Sequence, residues 1–179
     1  KKFKVCFFTR GYQQLEGIDF FETYEPVVQW TTVCLMLILE ILLGLKSKQG
    51  DVTAAFLHTD IPEDEKVYVK MPRGFEQYSK DEKRKCLKLR KTLYGLCQSP
   101  RDFWQYLKKK MEQCDLKQSK IDPCPFIHEK VICITYVDDL IFWSRNEEGI
   151  HNLAMQLREL GVDLEQEDGA TGFLGVTLE

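Results

Sequence analysis

The sequence predicts an α+β fold organised around an antiparallel sheet. Segments in which apolar and polar residues alternate, as they do in strands, are mixed with segments of helical periodicity. These segments do not follow the strict strand–helix–strand order that builds parallel sheets. In addition, two apolar strands meet at the acidic pair Asp138-Asp139, which indicates a hairpin inside a buried sheet.

A long helix followed by a strand is predicted in the first third of the chain. Thr31 and Thr32 offer capping hydroxyls before an apolar stretch that closes at Gly44, which is typical of a buried helix of about four turns. The stretch from Lys48 to Ala54 has the character of a short strand. Asp51 is therefore expected where a strand gives way to a turn or a helix.

The middle of the chain predicts two half-exposed strands and a second helix. Apolar and basic residues alternate around Val67-Tyr68-Val69 and again from Cys86 to Lys91. Ser99-Pro100 combines a capping residue with a proline suited to the first helical position. A helix is therefore expected from Arg101 to Cys114, where apolar residues recur at helical spacing.

The last third predicts a buried hairpin, a helix and a terminal strand pair. Its apolar strands are Phe126-Ile127, Val131 to Val137 and Leu140 to Trp143. Asn146 or Glu147 opens a helix that runs to about Leu160. A final pair of strands is expected around Gly169.

The composition predicts one globular domain, residues 1–179, with no repeat or linker inside it. A chain of 179 residues that is 44% hydrophobic and 12% aromatic can bury a real core. Its one long apolar run, Val33 to Leu45, contains Glu40 and is shorter than the roughly 20 residues of a membrane span, so no membrane partner is expected. Because the first residue is Lys1 and no secretory leader is recognisable, we expect a fragment of a longer protein.

Several classes of site are disfavoured by the motifs. The seven cysteines form no Cys-x-x-Cys pair, which argues against zinc and favours a reducing, intracellular setting. The histidines show no ligand spacing, and no serine-nucleophile, zinc-protease or phosphate-loop motif is present. The chemistry of the chain is therefore expected to depend on other residues.

Charge is distributed unevenly, although the net charge is only −3. From Lys66 to Lys117 there are 15 Lys and Arg against 6 Asp and Glu, whereas from Asp138 to Glu179 there are 2 against 10. The middle of the chain could face phosphate groups. A solvated surface explains the same basic run, so this alternative stays open.

The most informative motif is Tyr136-Val137-Asp138-Asp139-Leu140, which places two carboxylates between apolar strands. Buried isolated charges cost several kcal/mol unless they are paired or bound to a metal. Asp51 could join them from a neighbouring strand, and convergent carboxylates suit Mg²⁺ or Mn²⁺. Two such ions support nucleotide addition. An exposed Asp-Asp turn and a helix-capping Asp51 remain the alternative from the residues alone.

A set of ordered blocks resembles the reverse transcriptases of copia-like retrotransposons, from about Lys2 to Glu179. The blocks are Arg10-Gly11-Tyr12-Gln13-Gln14 with Gly17-Ile18-Asp19, Glu22-Thr23-Tyr24 with Pro26-Val27-Val28, Gln49-Gly50-Asp51-Val52 with Ala55-Phe56-Leu57, Val67-Tyr68-Val69 with Met71-Pro72 and Gly74-Phe75, Leu93-Tyr94-Gly95-Leu96 with Gln98-Ser99-Pro100-Arg101, Tyr136-Val137-Asp138-Asp139, and Phe173-Leu174-Gly175. The resemblance implies a palm-and-fingers fold with an antiparallel palm sheet, and RNA-directed DNA synthesis with two Mg²⁺ or Mn²⁺ ions.

The resemblance also implies roles for individual residues. It implies that Asp51, Asp138 and Asp139 are catalytic, and that these three residues and Val52 bind the metal ions. Nucleotide binding falls to Lys4, Arg10, Phe56, Tyr94 and Gly95, with Phe56 as the aromatic gate that excludes a 2′-hydroxyl. Template and primer contacts fall to Gln98, Arg101, Tyr136, Phe173, Leu174 and Gly175. The implied partners are an RNA or DNA template-primer, dNTPs and other domains of a Pol polyprotein, in a cytoplasmic virus-like particle or in the nucleus.

Three positions depart from the family pattern. Cys6 stands where the family has an arginine expected to neutralise triphosphate charge, and a thiol cannot supply the donors of a guanidinium. Cys97 replaces a lysine, and Thr59 replaces a glycine. Two rival functions therefore stay open: a relic that keeps the fold and at most binds nucleic acid, and an interaction module that binds through its acidic C-terminal part.

Overall fold

The computed structural model describes residues 7–75, 86–168, 172–173 and 176–177, the last two pairs and 167–168 by their backbone. The chain forms two compact units, one made of residues 1–24 and 56–102 and the other of residues 25–55 and 103–179. Five positions singled out above, Lys4, Cys6, Gly169, Leu174 and Gly175, lie outside the described residues.

Ten strands and three α-helices are described. The helices are α1 (Trp30–Leu43), α2 (Ser99–Gln113) and α3 (Glu147–Glu159). The strands are β1 (Lys46–Val52), β2 (Tyr68–Lys70), β3 (Cys86–Lys88), β4 (Lys117–Gln118), β5 (Pro125–Ile127), β6 (Val131–Tyr136), β7 (Asp139–Ser144), β8 (Leu164–Asp168), β9 (Gly172–Phe173) and β10 (Val176–Thr177).

The second unit is built on a six-stranded sheet with the order β4-β5-β6-β7-β1-β8. Every neighbouring pair in this sheet is antiparallel. Helices and an antiparallel sheet thus share one unit, which confirms the α+β class predicted from the sequence. The hairpin predicted around the acidic pair is β6–β7, whose arms lie in the middle of the sheet, and this position explains their apolar composition.

The sheet is covered by a helix on each face. On one face, Val33 and Met36 of α1 form a core cluster with Ile141 and Trp143 of β7. On the other face, α3 approaches so closely that a Cβ on Gly149 would lie 2.8 Å from the Ser144 hydroxyl. Residues 141 and 143 alternate with residues 140, 142 and 144, and all five are buried because both faces are covered.

The start of α1 differs from the sequence prediction, which gave the cap to Thr31 and Thr32. The helix begins at Trp30, and its first turn is capped from elsewhere in the second unit by Asp122. One Asp122 oxygen accepts hydrogen bonds from the Gln29 N–H (3.0 Å) and the Thr32 hydroxyl (2.7 Å). A local pattern could not reveal this cap because its acceptor lies 93 residues beyond Gln29.

The prediction that α1 is mostly buried is also wrong for its outer side. Only Val33 and Met36 are classed as buried, whereas Leu35, Ile38 and Leu42 are exposed. The helix is apolar all round, but a single sheet covers only one of its sides. Glu40, the one charge in this run, faces the sheet and accepts hydrogen bonds from Trp143 Nε1 (2.7 Å) and the Ser47 hydroxyl (2.6 Å).

The terminal strands pair differently from the prediction. The sequence suggested that the strands around Gly169 pair with each other. Instead, β8 pairs with β1 at the edge of the large sheet, and β9 pairs with β10. Strand propensity identifies such segments, but the partner of a strand is set by which edge is open in the folded unit.

The first unit contains the two-stranded hairpin β2–β3. It also contains a short 3₁₀ helix at Gly11–Gln13. A second 3₁₀ helix, Ala55–His58, begins one residue before the second segment of this unit, residues 56–102. Within the described parts of the chain, six cysteines are free thiols. None of the helices found there has the length and apolar character needed to cross a bilayer.

Candidate active site

The acidic pair lies at the tip of the β6–β7 hairpin. Tyr136 and Asp139 are the last paired residues, so Val137 and Asp138 form a two-residue turn. Val137 has a φ of +53°, a left-handed conformation that β-branched residues rarely adopt. Such strain concentrates at functional sites because the surrounding structure must stabilise it. The turn gives Asp138 a position of its own, outside the alternation of the two strands.

Asp51 joins this hairpin from β1. Asp51 and Asp139 are directly opposite each other in the antiparallel ladder, and the Val52 N–H donates to the Asp138 carbonyl (2.9 Å). Side chains of directly opposite residues lie on the same face, with Cβ atoms roughly 4.5–5.5 Å apart. Three carboxylates and the backbone of Val52 are therefore brought to one end of the sheet.

A further acid extends this arrangement. Asp51 is opposite Glu165 of β8 on its other side, so Asp139, Asp51 and Glu165 form a row across three neighbouring strands. Tyr136 begins the same row on β6. Like charges directly opposite each other destabilise a sheet. This acidic row is therefore an arrangement that a bound cation would stabilise.

Glu25 is a fifth carboxylate in this part of the second unit. Burial, with a contribution from the negative charge of Asp138, raises the pKa of Glu25 to about 6. Neither Glu25 nor Glu165 was predicted from the sequence as a site residue. Glu25 stands inside the block from Glu22 to Val28, which was the one available signal, whereas the position of Glu165 depends on strand register.

The donor atoms suit a hard divalent cation, although the side chains do not form a closed cage. Among the residues that the structure describes, no three His, Cys, Asp or Glu side chains are close enough together to hold a metal ion by themselves. Mg²⁺ is usually held by one or two carboxylates together with water and substrate phosphates. Asp51, Asp138 and Asp139 therefore fit Mg²⁺ or Mn²⁺ in chemical type.

The first unit brings two of the sequence blocks together through glycine. A Cβ on Gly11 would lie 2.0 Å from the Gly95 carbonyl oxygen, and a Cβ on Gly95 would lie 2.2 Å from the Thr9 carbonyl oxygen. The Thr9 N–H and hydroxyl both donate to the Tyr94 carbonyl, at 2.8 and 3.1 Å. Gly95 also has a φ of +89°. Only glycine fits such a close backbone crossing.

The aromatic residues assigned to nucleotide binding contact each other. The rings of Phe56 and Tyr94 are 4.6 Å apart, edge to face, and Phe56 is buried. The Thr92 hydroxyl donates a short hydrogen bond to the Phe56 carbonyl. The ring of Phe56 thus packs against Tyr94, while the bond from Thr92 holds the Phe56 backbone. Arg10, by contrast, is exposed and lines an open cleft of the same unit.

Gln98 and Arg101, assigned to template or primer, are engaged within the first unit. The Gln98 oxygen accepts from the Gln14 amide (3.0 Å). Arg101 donates to Glu22 (2.6 Å) and to Asp102 (3.0 Å). These bonds orient both side chains and stabilise the packing of the blocks that contain them.

Three further hydrogen bonds involve the same segment of the first unit. Cys97 donates from its N–H to Gln14 (2.8 Å) and from its thiol to the Gly11 carbonyl (3.3 Å). The Ser99 hydroxyl donates to the Leu93 carbonyl (2.7 Å) rather than acting as the predicted helix cap. The segment from Leu93 to Ser99 is thereby held against the Gly11–Gln14 block.

Comparison with known families decides the assignment. The sequence model of the family described as "Reverse transcriptase (RNA-dependent DNA polymerase)" matches residues 1–179. The chain belongs to this reverse transcriptase family. The resemblance noted in the sequence is thus confirmed, and the chain is assigned to an enzyme family.

Relatives of the chain include Pol polyproteins of plant and yeast transposons. It is 32% identical over 182 residues to the retrovirus-related Pol polyprotein from transposon TNT 1-94 of Nicotiana tabacum, covering 99% of this chain and 13% of that protein. It is 31% identical over 155 residues to the Pol polyprotein from transposon RE1 of Arabidopsis thaliana, covering 84% and 10%. The Ty1-NL2 Gag-Pol polyprotein of Saccharomyces cerevisiae is 30% identical over 149 residues, covering 80% and 8%. The chain thus spans a small part of each of these relatives.

Proposed function

We propose that this chain is an RNA-directed DNA polymerase of a copia-like retrotransposon, which adds dNTPs to a primer 3′-hydroxyl on an RNA or DNA template. The observation that carries this proposal is the pairing of Asp51 with Asp139 beside the strained turn that holds Asp138. Two divalent ions bound there would activate the primer hydroxyl and stabilise the leaving pyrophosphate.

The residues of the chain contribute position and charge. Asp51 and Asp139 are held by adjacent strands in the middle of a sheet, so little reorganisation is needed before a cation binds between them. Asp138 is held through its backbone carbonyl, which accepts from Val52. Glu25 and Glu165 add negative charge that attracts cations to this end of the sheet.

A test compares Asp138→Asn with the unmodified chain and with Asp163→Asn, a matched control at an exposed aspartate of the same unit. The assay is primer extension on a homopolymer template with Mg²⁺ or Mn²⁺. Asp138→Asn should lower extension by on the order of 10²-fold or more, and Asp163→Asn should not. Equal extension by all three would refute the proposed role of Asp138.

In the first unit, we assign Phe56 to the selection of deoxynucleotides. A buried ring fixed by Tyr94 is a rigid surface against which a 2′-hydroxyl would not fit. Phe56→Val should raise incorporation of ribonucleotides relative to deoxynucleotides, while Phe21→Val, at an exposed phenylalanine of the same unit, should leave that ratio unchanged. An unchanged ratio in Phe56→Val would remove this role.

A catalytically impaired relic is the second candidate, and Cys6 is the observation that favours it. A lost guanidinium clamp can cost on the order of 10²-fold in rate. If Cys6 limits activity, Cys6→Arg should raise extension and Cys6→Ser should not. Extension that is absent in all variants, with nucleic-acid binding retained, would favour the relic or a fragment that needs a thumb for activity.

The setting that goes with the proposed polymerase is a virus-like particle in the cytoplasm, or the nucleus, alongside other domains of a Pol polyprotein. The names of the transposon relatives support the polyprotein. Co-sedimentation of the chain with particles that contain template RNA would test whether the chain resides in a virus-like particle.

A further inference from the structure

Gln14 joins two blocks of the first unit through both ends of its side-chain amide. Its oxygen accepts a hydrogen bond from the Cys97 N–H (2.8 Å), and its nitrogen donates to the Gln98 side-chain oxygen (3.0 Å). The Gln98 nitrogen in turn donates to the Asp19 carbonyl (3.5 Å). The two glutamines therefore form an amide relay that runs from the Cys97 N–H to the Asp19 carbonyl.

The direction of this amide relay is fixed by its two backbone ends. A backbone N–H can only donate, so the Gln14 oxygen must face Cys97 and the Gln14 nitrogen must face Gln98. A backbone carbonyl can only accept, so the Gln98 nitrogen must face Asp19. Turning either amide over would bring two donors or two acceptors together. The relay therefore holds each side chain in a single orientation.

Burial makes the amide relay important for the local structure. The exposed fraction of Gln98 is 4%, and Gln14 is partly buried. A polar group that loses its partner in such a place cannot fully replace the bond with water. The backbone of Gln14 is also held, because its N–H donates to the Gly11 carbonyl (2.8 Å). A change in the Gln14 amide should therefore displace Gln98 and Cys97 rather than Gln14 itself.

The turn that carries Tyr94 belongs to the segment that the amide relay holds. The Leu93 carbonyl accepts from the Leu96 N–H (3.3 Å) and from the Ser99 hydroxyl (2.7 Å). These two bonds tie the beginning of the segment to its end. A shift at Cys97 is therefore expected to reach Tyr94.

Tyr94 connects this segment with Phe56. Their ring centroids are 4.6 Å apart, edge to face, and Phe56 is buried. Phe56 is the residue assigned above to the selection of deoxynucleotides. The position of its ring depends on Tyr94, and the position of Tyr94 depends on the amide relay. All of these contacts lie within the first unit.

We infer that Gln14 is a positioning residue for nucleotide selection, which acts through residues 93–99 and the Tyr94 ring to hold the Phe56 ring in place. The inference rests on the proposed function, and in particular on the role of Phe56, to which it adds a residue that acts through its neighbours. A purely structural residue would change stability alone, whereas a positioning residue also changes the preference between a deoxynucleotide and a ribonucleotide.

The test measures this preference by binding, so that it does not depend on catalysis. The full chain is mixed with a primer–template whose primer ends in a dideoxynucleotide, so that the next nucleotide can bind but cannot be joined. Dissociation constants for dGTP and GTP opposite a template cytosine are then measured with Mg²⁺ by filter retention. Their ratio is insensitive to partial unfolding of a variant, because the folded fraction affects both constants alike.

Two substitutions change the amide relay in different ways. Gln14→Glu keeps the side-chain length and the acceptor for Cys97, but it places a second oxygen against the Gln98 oxygen. Gln14→Leu removes both bonds. The matched control is Gln105→Glu, the same exchange at an exposed position of α2. Phe56→Val, alone and combined with Gln14→Glu, tests whether the effect passes through the Phe56 ring.

The expected result is a loss of preference that depends on Phe56. Gln14→Glu and Gln14→Leu should each lower the preference for dGTP over GTP about fivefold, the order of one lost hydrogen bond. Gln105→Glu should keep the preference of the unmodified chain. In the Phe56→Val background, Gln14→Glu should have little further effect, because the ring that Gln14 positions is gone.

Other outcomes overturn the inference. An unchanged ratio in both Gln14 variants does so, and so does a loss of the same size in the Phe56→Val background. If the unmodified chain extends an ordinary primer but the Gln14 variants keep its preference, this inference fails and the polymerase stands. If the Gln14 variants lose the preference but no chain extends an ordinary primer, the polymerase fails and the positioning role stands. An unmodified chain that binds neither nucleotide, or binds the two equally, refutes both the selective role of Phe56 and this inference.

Discussion

Gly11 and Gly95 cross so closely that a Cβ on Gly11 would lie 2.0 Å from the carbonyl oxygen of Gly95. The contact joins two sequence blocks that are more than 80 residues apart in the chain. It places the Tyr94 carbonyl within reach of both donors of Thr9. The conformation of the segment that carries Tyr94 in the first unit therefore depends on two residues that have no side chain.

Gly95→Ala should destabilise the first unit by about 3 kcal/mol, since the methyl group adds a clash to a left-handed backbone. Gly17→Ala is the matched control: its φ is +78°, but no atom lies within 4 Å of the added Cβ, so a cost of about 1 kcal/mol is expected. Hydrogen exchange of first-unit peptides is the suitable measurement because all three tryptophans belong to the second unit. Equal costs for the two variants would contradict the close crossing.

Asp122→Asn should cost about 1–3 kcal/mol in the free energy of unfolding of the second unit, because its carboxylate accepts from Gln29, Thr32 and Cys124. Burial alone would raise the pKa of Asp122, but these hydrogen bonds outweigh it and lower the pKa. The stabilisation is therefore present above the unfolded pKa of about 3.9 and is lost as pH falls through the lower folded value.

Urea titrations followed by tryptophan fluorescence, at pH 7 and at a pH well below the unfolded pKa of about 3.9, would measure this loss. Asp163→Asn serves as the control at an exposed position. A difference between the unmodified chain and Asp122→Asn that does not shrink in acid would show that the charge of Asp122 is unimportant.

Glu25→Gln should stabilise the chain at neutral pH in EDTA. The raised pKa, caused by burial and by Asp138, means that the folded state carries a penalty once Glu25 ionises. Stability of the unmodified chain should therefore fall as pH rises from about 4.5 to about 6, by on the order of 1 kcal/mol because Glu25 is only partly buried. Urea midpoints across this range should be flatter for Glu25→Gln, and parallel profiles would refute the assignment.

Met36→Ala and Ile41→Ala should differ sharply although both shorten an apolar side chain of α1. Met36 is 6% exposed and packs in the sheet-facing core, so its loss should cost about 2–5 kcal/mol. Ile41 is 82% exposed, and its replacement should change stability by less than about 0.5 kcal/mol. A large cost at Ile41, measured by urea unfolding, would mean that the outer side of α1 is covered in solution.

The sequence predicted the secondary structure best where apolar periodicity agreed with residues that start or end helices and turns. The second and third helices and the β6–β7 hairpin lie close to their predicted positions because proline, asparagine and glycine signals coincide with apolar spacing. The prediction failed where a partner came from far away, as with Asp122 at the start of α1 and β1 beside β8. Such partners leave no local pattern in the chain.

The sequence by itself determined the class of fold, the acidic hairpin and the family, because these depend on local periodicity and on blocks in a fixed order. Only the tertiary structure decided that Asp51 is opposite Asp139 and Glu165. It also decided that the negative charge of Asp138 helps to raise the pKa of Glu25, and that one face of the β2–β3 hairpin is basic. The physical reason is strand register: a shift of one residue moves every side chain to the other face, and a one-dimensional pattern does not contain the register.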